Sequence, residues 1–357
     1  MAKTLVSDVL VPSIFEDYVI ERSVINTSFG QSDIIEVGPQ YDALISDGGK
    51  IVSMPAWKQG TVSLAARQLI SDSGSFSVNS INTSTDVARI HNDGNAWSVT
   101  LLAALLAGDD PMMAIADFVA TYWTEIDQSI VIASVKGIIG ALDAVTGDPN
   151  LLAIHSESIA AQTSATKLNG STFVDAVQKL GDANRDLVAI SMHSATEAAL
   201  KKQDLIDYLP DSEGKPTIAV FQGRRVIITD QMPTRAGSTD GVVYTSVLYG
   251  PGVFGFGNQR LNEPLSGGFG TKGVELSRVS LAHDDVLINR RRWIKHPRGF
   301  QWNDTTGGAT ADGGATDAQL ATAARWTPIW VTGYDGAATP PVYVYKNIRF
   351  VGITHNN

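Results

Sequence analysis

Residues 111–142 read PMMAIADFVATYWTEIDQSIVIASVKGIIGAL. Apolar or small residues recur at Met112, Ile115, Val119, Tyr122, Ile126, Ile130, Ala133, Gly137 and Ala141, in steps of three and four. That spacing draws one stripe along a helix. Asp110 is suited to cap its start, and Pro111 falls at the first helical position, where a missing N–H costs nothing. Gly147 and Pro149 close it off. At 1.5 Å per residue the helix spans ~48 Å, against ~11 residues for an average helix. A rod of that length is a backbone on which something else is mounted. The expectation is that it leans on neighbouring molecules.

Upstream, the stretch to about Phe29 reads as one short amphipathic helix (Val9, Ile14, Tyr18) with extended flanks. Ile34 to Lys58 shows two strand-like pieces, and GGKIVSMPAWK reads as a Gly-Gly turn, a strand and a Pro stop. From Gln59 to Asn95 the chain is rich in Ser, Thr, Asn and Gly, with weak alternation. This predicts a two-stranded excursion with no core of its own.

Downstream, helix and strand alternate. STFVDAVQKLGDA predicts a helix, DLVAISM a buried strand, and SATEAALKKQDLIDYL a helix opened by a capping box from Ser194 to Glu197. KPTIAVFQGRRVIITDQMP predicts a hairpin, and GVVYTSVLYGPGVFGFG a strand running into a glycine turn. Val274 to Trp302 has strand character. Asp304 to Gln319 (DTTGGATADGGATDAQ) reads as a flexible low-complexity loop, and PPVYVYKNIRFVGITH alternates like a strand.

The 357 residues are 43% hydrophobic and 18% charged, enough for two or three substructures. Cysteine is absent, which rules out disulfides and thiolate metal sites. The N-terminus has no secretory pattern, and WSVTLLAALLAG is too short to span a membrane. A soluble, non-secreted chain is expected. A net charge of −10 argues against a nucleic-acid-binding protein as a whole.

No catalytic set outweighs its structural reading. Gly250–Gly257 (GPGVFGFG) lacks dinucleotide spacing and reads as a tight turn; Gly267–Gly273 lacks the Ser or Thr of a phosphate loop. The six histidines are scattered, and His283–Asp285 on a strand cannot converge on one ion. Ser191, His193 and Ser194 lack a nucleophile elbow. Asp109 and Asp110 suit a helix start without catalysis. The conspicuous cluster is RRRWIKHPRGFQW, 290–302, with Arg290, Arg291, Arg292, Lys295 and Arg298 among Trp293, Phe300 and Trp302. On a strand these residues divide between two faces, so no single basic stripe results. Arginines alternating with rings suit an interface, where a guanidinium pairs carboxylates and stacks on aromatics.

Taken in order, these segments resemble the major capsid proteins of tailed bacteriophages with the Hong Kong 97 fold. KIVSMPAWK (50–58) is similar to the strand entering the extended loop, and 95–139 to the approach and spine helix. DLVAISMHSATEAALKKQDLIDYL and GRRVIITDQMP are similar to the axial domain. HDDVLINRRRWIKHPRGFQW is similar to the late peripheral-domain strand. The resemblance implies an α+β fold divided into an N-terminal arm (1–35), an extended loop with flanking strands (36–95), a peripheral domain with the spine helix (96–149), an axial domain (150–280) and peripheral return strands (281–357). It implies a non-enzymatic coat subunit, without cofactor or metal, that assembles with itself as hexamers and pentamers of an icosahedral virion shell in the host cytoplasm. A separate scaffolding protein, a portal and a decoration or cement protein are the further partners. Packaged DNA is touched nonspecifically at most, and no membrane is involved. Trp57, Lys58, Arg67, Arg89, Arg290, Arg291, Arg292, Lys295 and Arg298 are the expected inter-subunit or inter-domain contacts. No Lys–Asn cross-link is assigned to Lys50, Lys58, Asn356 or Asn357. The alternatives are an encapsulin-type compartment shell, an α/β enzyme centred on 150–275, and a nucleic-acid binder using 290–302.

Overall fold

The computed structural model describes residues 29–46, 49–57, 83–100, 111–144, 151–154, 166–210, 216–236, 241–259, 274–279, 284–305, 310, 313–329 and 345–357. The short amphipathic helix expected at Val9–Tyr18, the cap at Asp110, and most of the excursion, including Lys58 and Arg67, lie outside these residues.

The described residues begin with β1 (Ile35–Val37), α1 (Pro39–Ser46), β2 (Ile51–Trp57), β3 (Thr83–Thr100) and the long α2 (Pro111–Asp143). There follow β4 (Leu152–Ile154), α3 (Gly170–Gln178), β5 (Ala189–Met192), α4 (Ser194–Lys202), β6 (Ile206–Pro210), β7 (Pro216–Phe221), β8 (Arg224–Ile228), β9 (Thr234–Ala236) and β10 (Val242–Tyr249). The last part holds β11 (Phe254–Gln259), β12 (Val274–Val279), β13 (Asp284–Pro297), β14 (Phe300–Trp302), α5 (Asp317–Leu320), β15 (Trp326–Pro328) and β16 (Phe350–His355).

The strands form a sheet of six, ordered β1-β11-β13-β3-β2 with β12 also on β13, and a sheet of eight, ordered β4-β16-β10-β5-β8-β7-β6 with β9 on β10. A small pair, β14-β15, adjoins them. Strand β3 is 18 residues long, ~60 Å at the usual rise. Its first part pairs with β2 and its remainder with β13. The two sheets draw on both ends of the chain. β11 sits in the sheet of six, beside β13, and the C-terminal β16 lies in the sheet of eight between β4 and β10. Sheet membership therefore crosses the expected boundary near residue 280.

The rod is present over the predicted span, starting at Pro111. Its packing differs from the expectation. Between Ile130 and Leu142 only Lys136 is exposed. Both sides of this half are covered by the same chain. Ile139 and Leu152 fill the space left by Gly352 on β16, while the Leu320 carbonyl and the Trp326 indole lie over Gly137. The indole N–H also donates to the Leu320 carbonyl at 2.7 Å. A helix apolar all round is a core helix, so this half of the rod needs no neighbour. The other half differs: Phe118 is 57% exposed.

Other expectations are corrected by local chemistry. β2 runs through Pro55 to Trp57, because an end strand of the sheet does not need the missing N–H. The segment before β2 contains a helix, α1, between two strands. α4 is capped by His193, whose Nδ1 accepts from the Ala195 N–H, so Ser194 is the first helical residue rather than the cap. The helix stops at Lys202, and Asp204 in a left-handed turn (φ 56°) redirects the chain into β6. The predicted β7–β8 hairpin turns through Gln222 and Gly223, both with positive φ, as a two-residue hairpin requires. The end of the low-complexity stretch is not a flexible loop. Thr316 and Gln319 form a reciprocal capping box on α5, and Leu320 is buried beside α2.

Candidate assembly interface

Strand β13 carries the basic cluster. Its alternation sends Arg291, Trp293 and Lys295 to one face, where all three are buried. The anion facing them is Asp127 of α2, at 3.7 Å from Arg291 and 3.4 Å from Lys295; the three side chains are at most 2% exposed. Lys295 also donates to the Asp127 carbonyl at 3.2 Å. The Arg291 guanidinium lies 4.9 Å from the Trp123 ring and 5.4 Å from Trp293; the Lys295 ammonium lies 5.0 Å from Trp293 and 5.5 Å from Phe256. Aromatic faces thus supply part of the electrostatic compensation that water gives elsewhere. Trp293 donates its indole N–H to Asp93 at 2.7 Å.

Burial dominates the titration of this joint. It lowers the Lys295 pKa, with Asp127 opposing and Arg291 adding to the shift. It raises the Asp93 carboxyl against the hydrogen bond from Trp293. It takes His91 down to about 4, helped by the Arg89 and Lys295 charges.

The opposite face and the ends of β13 are tied to other elements of the same chain. Arg290 pairs with Glu275 at 3.0 Å, and Arg292 donates to the Gly49 carbonyl at 3.2 Å. Arg298 pairs with Glu36 at 3.3 Å. His296 meets Asp86 at 3.0 Å, both buried. Arg89, also buried, donates to the Lys50 carbonyl at 3.1 Å and lies 3.6 Å from Asp304. Trp57 sits in β2 opposite Thr83. The strand register thus joins β13 to α2, β3, β12 and the β1–α1 segment. Arg290, Arg291, Arg292, Lys295, Arg298 and Arg89 form a joint within one chain, and no continuous basic face emerges from them. Sequence reasoning missed its other half: Asp127, Trp123, Asp93 and Asp86. The one available signal was an acid, Asp127, placed next to the apolar stripe of a long helix.

The glycines of β11 and His355 have structural roles. Gly255 and Gly257 are strand residues of β11 on which the Tyr41 ring and backbone lie, too close for any Cβ. His355 is buried with Nε2 at 2.9 Å from the Ser246 hydroxyl and Nδ1 at 3.0 Å from the Asn356 carbonyl. With Nδ1 donating to that carbonyl, Nε2 accepts from Ser246, so this Ser–His pair is a sheet-internal bond with no route for a substrate. Among the described residues no group of three His, Asp or Glu could hold a metal, and no helix is long and apolar enough to cross a membrane. His155, His283 and Gly267–Gly273 lie outside the described residues.

Beside the joint is a groove of about 430 Å³ lined by Gln40, Tyr41 and Leu44 of α1, Met54 of β2, Asp86 of β3, and His296 and Arg298. α1 is fixed there by Tyr41 on the two glycines and by Asp42, whose carboxylate accepts from the Asn258 N–H at 2.8 Å.

No model of a known protein family matches the chain. The major capsid protein of Bacillus phage SPP1 is 36% identical over 357 residues, 99% of each chain. The capsid of Ralstonia phage GP4 is similar in structure at 12% identity, with a TM-score of 0.52 over 76% of this chain and 87% of that one. The second likeness shows the fold; the first, spanning essentially the whole length, shows the family. The chain belongs to the major capsid proteins of tailed bacteriophages and has their Hong Kong 97 fold.

Proposed function

We propose that copies of this chain close into an icosahedral shell of hexamers and pentamers around a double-stranded DNA genome, as a structural subunit without catalytic chemistry. The full-length identity to a coat protein carries this reading. The chain's own physics agrees with it. A core formed from both sheets and α2 makes the body stiff, and β2 pairs with β3 at the edge of the sheet of six. Repeated contacts between identical bodies add up through effective concentration, so each contact can be weak. The net charge of −10 suits a wall along which packaged DNA slides without sticking.

In this reading the arm is 1–35, the extended loop 36–95, the peripheral domain 96–149 with 281–357, and the axial domain 150–280. β11, β12 and β16 cross between the last two. Trp57, Lys58 and Arg67 on the extended loop reach neighbouring copies, whereas Arg89 and the β13 cations hold the body rigid behind them. Assembly takes place in the host cytoplasm; a separate scaffolding protein and a portal direct it without being required for rings or shells to form, and a decoration protein binds outside. Negative-stain microscopy of the purified chain tests the proposal. Closed particles or five- and six-membered rings are expected, and a field of monomers at high concentration would refute it.

A further inference from the structure

The start of α4 is held by two side chains, and one of them is an imidazole, the group whose charge ordinarily changes between about pH 5 and pH 8. His193 Nδ1 accepts from the Ala195 N–H at 3.1 Å and lies 3.5 Å from the Ser194 hydroxyl. A ring nitrogen that accepts carries no proton, so this cap exists only with the neutral ring. The second side chain is Asp230, in the turn after β8. Its carboxylate accepts from Ser194, and one of its oxygens stands 3.9 Å from His193 Nδ1. The Ser194 hydroxyl bond holds the Asp230 carboxyl below the usual carboxylate range, so Asp230 is still charged where an imidazole takes up its proton. The His193 side chain is 22% exposed and that of Asp230 76%, so protons reach both without unfolding. Other titratable groups stand around them. The Tyr244 phenol ring of β10 lies 5.3 Å from the His193 ring, and the buried His355 of β16 stacks on Tyr244 at 6.3 Å. On α4 itself, Glu197 is paired with Lys201 at 2.6 Å.

Adding a proton turns Nδ1 from an acceptor into a donor. The Ala195 N–H then loses its acceptor, and a positive ring sits at the positive end of the helix dipole. The Asp230 oxygen faces the new donor, and a closure of about 1 Å brings the two to hydrogen-bond distance. That pair is open to water, so it offsets only part of what the helix start has lost. We propose that His193 and Asp230 form a proton-operated switch at the start of α4: the neutral ring caps the helix at Ala195, and the protonated ring releases Ala195 and pairs with Asp230. The turn that carries Asp230 leads into β9, whose Arg235 pairs with Asp143 at the end of α2 at 3.1 Å. The switch therefore loosens the first turn of α4 and pulls on a segment anchored to the rod.

Hydrogen exchange of the full-length chain, read by mass spectrometry on peptides covering 193–200 between pH 7.5 and pH 5, tests the switch. Rates are compared at each pH with those of His193→Asn, since asparagine caps a helix well and does not titrate. Relative to that variant, the amides at the start of α4 in the parent chain should exchange about fivefold faster at pH 5 than at pH 7.5, the equilibrium effect of one lost cap. Asp230→Asn removes the charge that receives the protonated ring, so the same loss should move to lower pH. His193→Ser, a second cap that does not titrate, replaces His193→Asn in the comparison where that variant fails to fold. The other histidines are the same in all these proteins, so their titration cancels. A ratio to the capped variant that stays constant across the pH range overturns the proposal, as does a transition that Asp230→Asn leaves unmoved. The switch belongs to a single chain, so the result stands apart from whether shells form.

Discussion

Replacing Asp127 by Asn should be among the most costly conservative changes in the molecule. The carboxylate is 1% exposed and faces two cations that are equally shut off from water, at 3.7 and 3.4 Å. Removing it leaves the Arg291 guanidinium between two indoles with only Asp93 nearby, whose charged form burial disfavours, and Lys295 with a carbonyl and the ring faces. Breaking a buried pair by deleting one partner costs about 3–5 kcal/mol, because the remaining ion stays buried and uncompensated. Two cations depend on Asp127, which places the loss at the upper end of that range. Lys295 can shed its proton. Burial already holds the Lys295 pKa below the ordinary lysine value of 10.5. Without Asp127 it falls further, and the unfolded chain then binds more protons than the folded one between that lowered value and the unfolded one. Stability of the variant therefore rises with pH through that window, up to the unfolded lysine value. Urea unfolding of dissociated subunits, at pH 7 and at pH 9.5, measures both effects. A loss under 1 kcal/mol at pH 7, or a loss that does not shrink at pH 9.5, would refute the account of the joint.

Gly137→Ala should destabilise the subunit by about 3 kcal/mol, since its Cβ would enter the space of the Leu320 carbonyl and the Trp326 indole; thermal unfolding checks it. Trp326→Phe keeps most of the ring but loses the 2.7 Å bond to Leu320, for a loss of about 1 kcal/mol in the same assay. His91 is held neutral at about 4 against 6.5 unfolded, so acidification from pH 6.5 to pH 4 should remove about 3 kcal/mol through this residue alone. Comparing unfolding free energies of the parent chain and His91→Gln across that range isolates this contribution. Gly257→Val should lift Tyr41 and α1 from β11, and the change should appear as increased proteolysis within 38–46.

The long helix was legible because its apolar spacing is local and its first residue is a proline. The β7–β8 hairpin was legible for a similar reason: Gln222-Gly223 is turn chemistry between two apolar runs. What decides the role of the basic cluster is not local. Arg291 and Lys295 look like surface charge until Asp127 is brought to them across 168 residues, and Trp293 finds Asp93 across 200. The same sequence would serve an exposed interface if the helix lay elsewhere. β16 was expected to alternate, yet all six of its residues are buried, because a strand in the middle of a sheet covered on both faces has no solvent side. The switch from α4 to β6 was missed because the helical pattern continues past Lys202, while the strand is selected by pairing with β7. The expectation that the rod depends on neighbours failed for its C-terminal half, which α5, β15 and β16 cover from distant parts of the same chain.

The central claim is that this chain is a coat subunit whose body is finished within one molecule and whose remaining surfaces are finished by identical copies. A side-chain-resolution electron-microscopy reconstruction of particles assembled from the purified chain tests it most directly. Closed shells are expected in which Asp127, Arg291 and Lys295 meet inside each subunit. A monomer that never assembles, or shells in which the Asp127 joint is formed between different subunits, would contradict it.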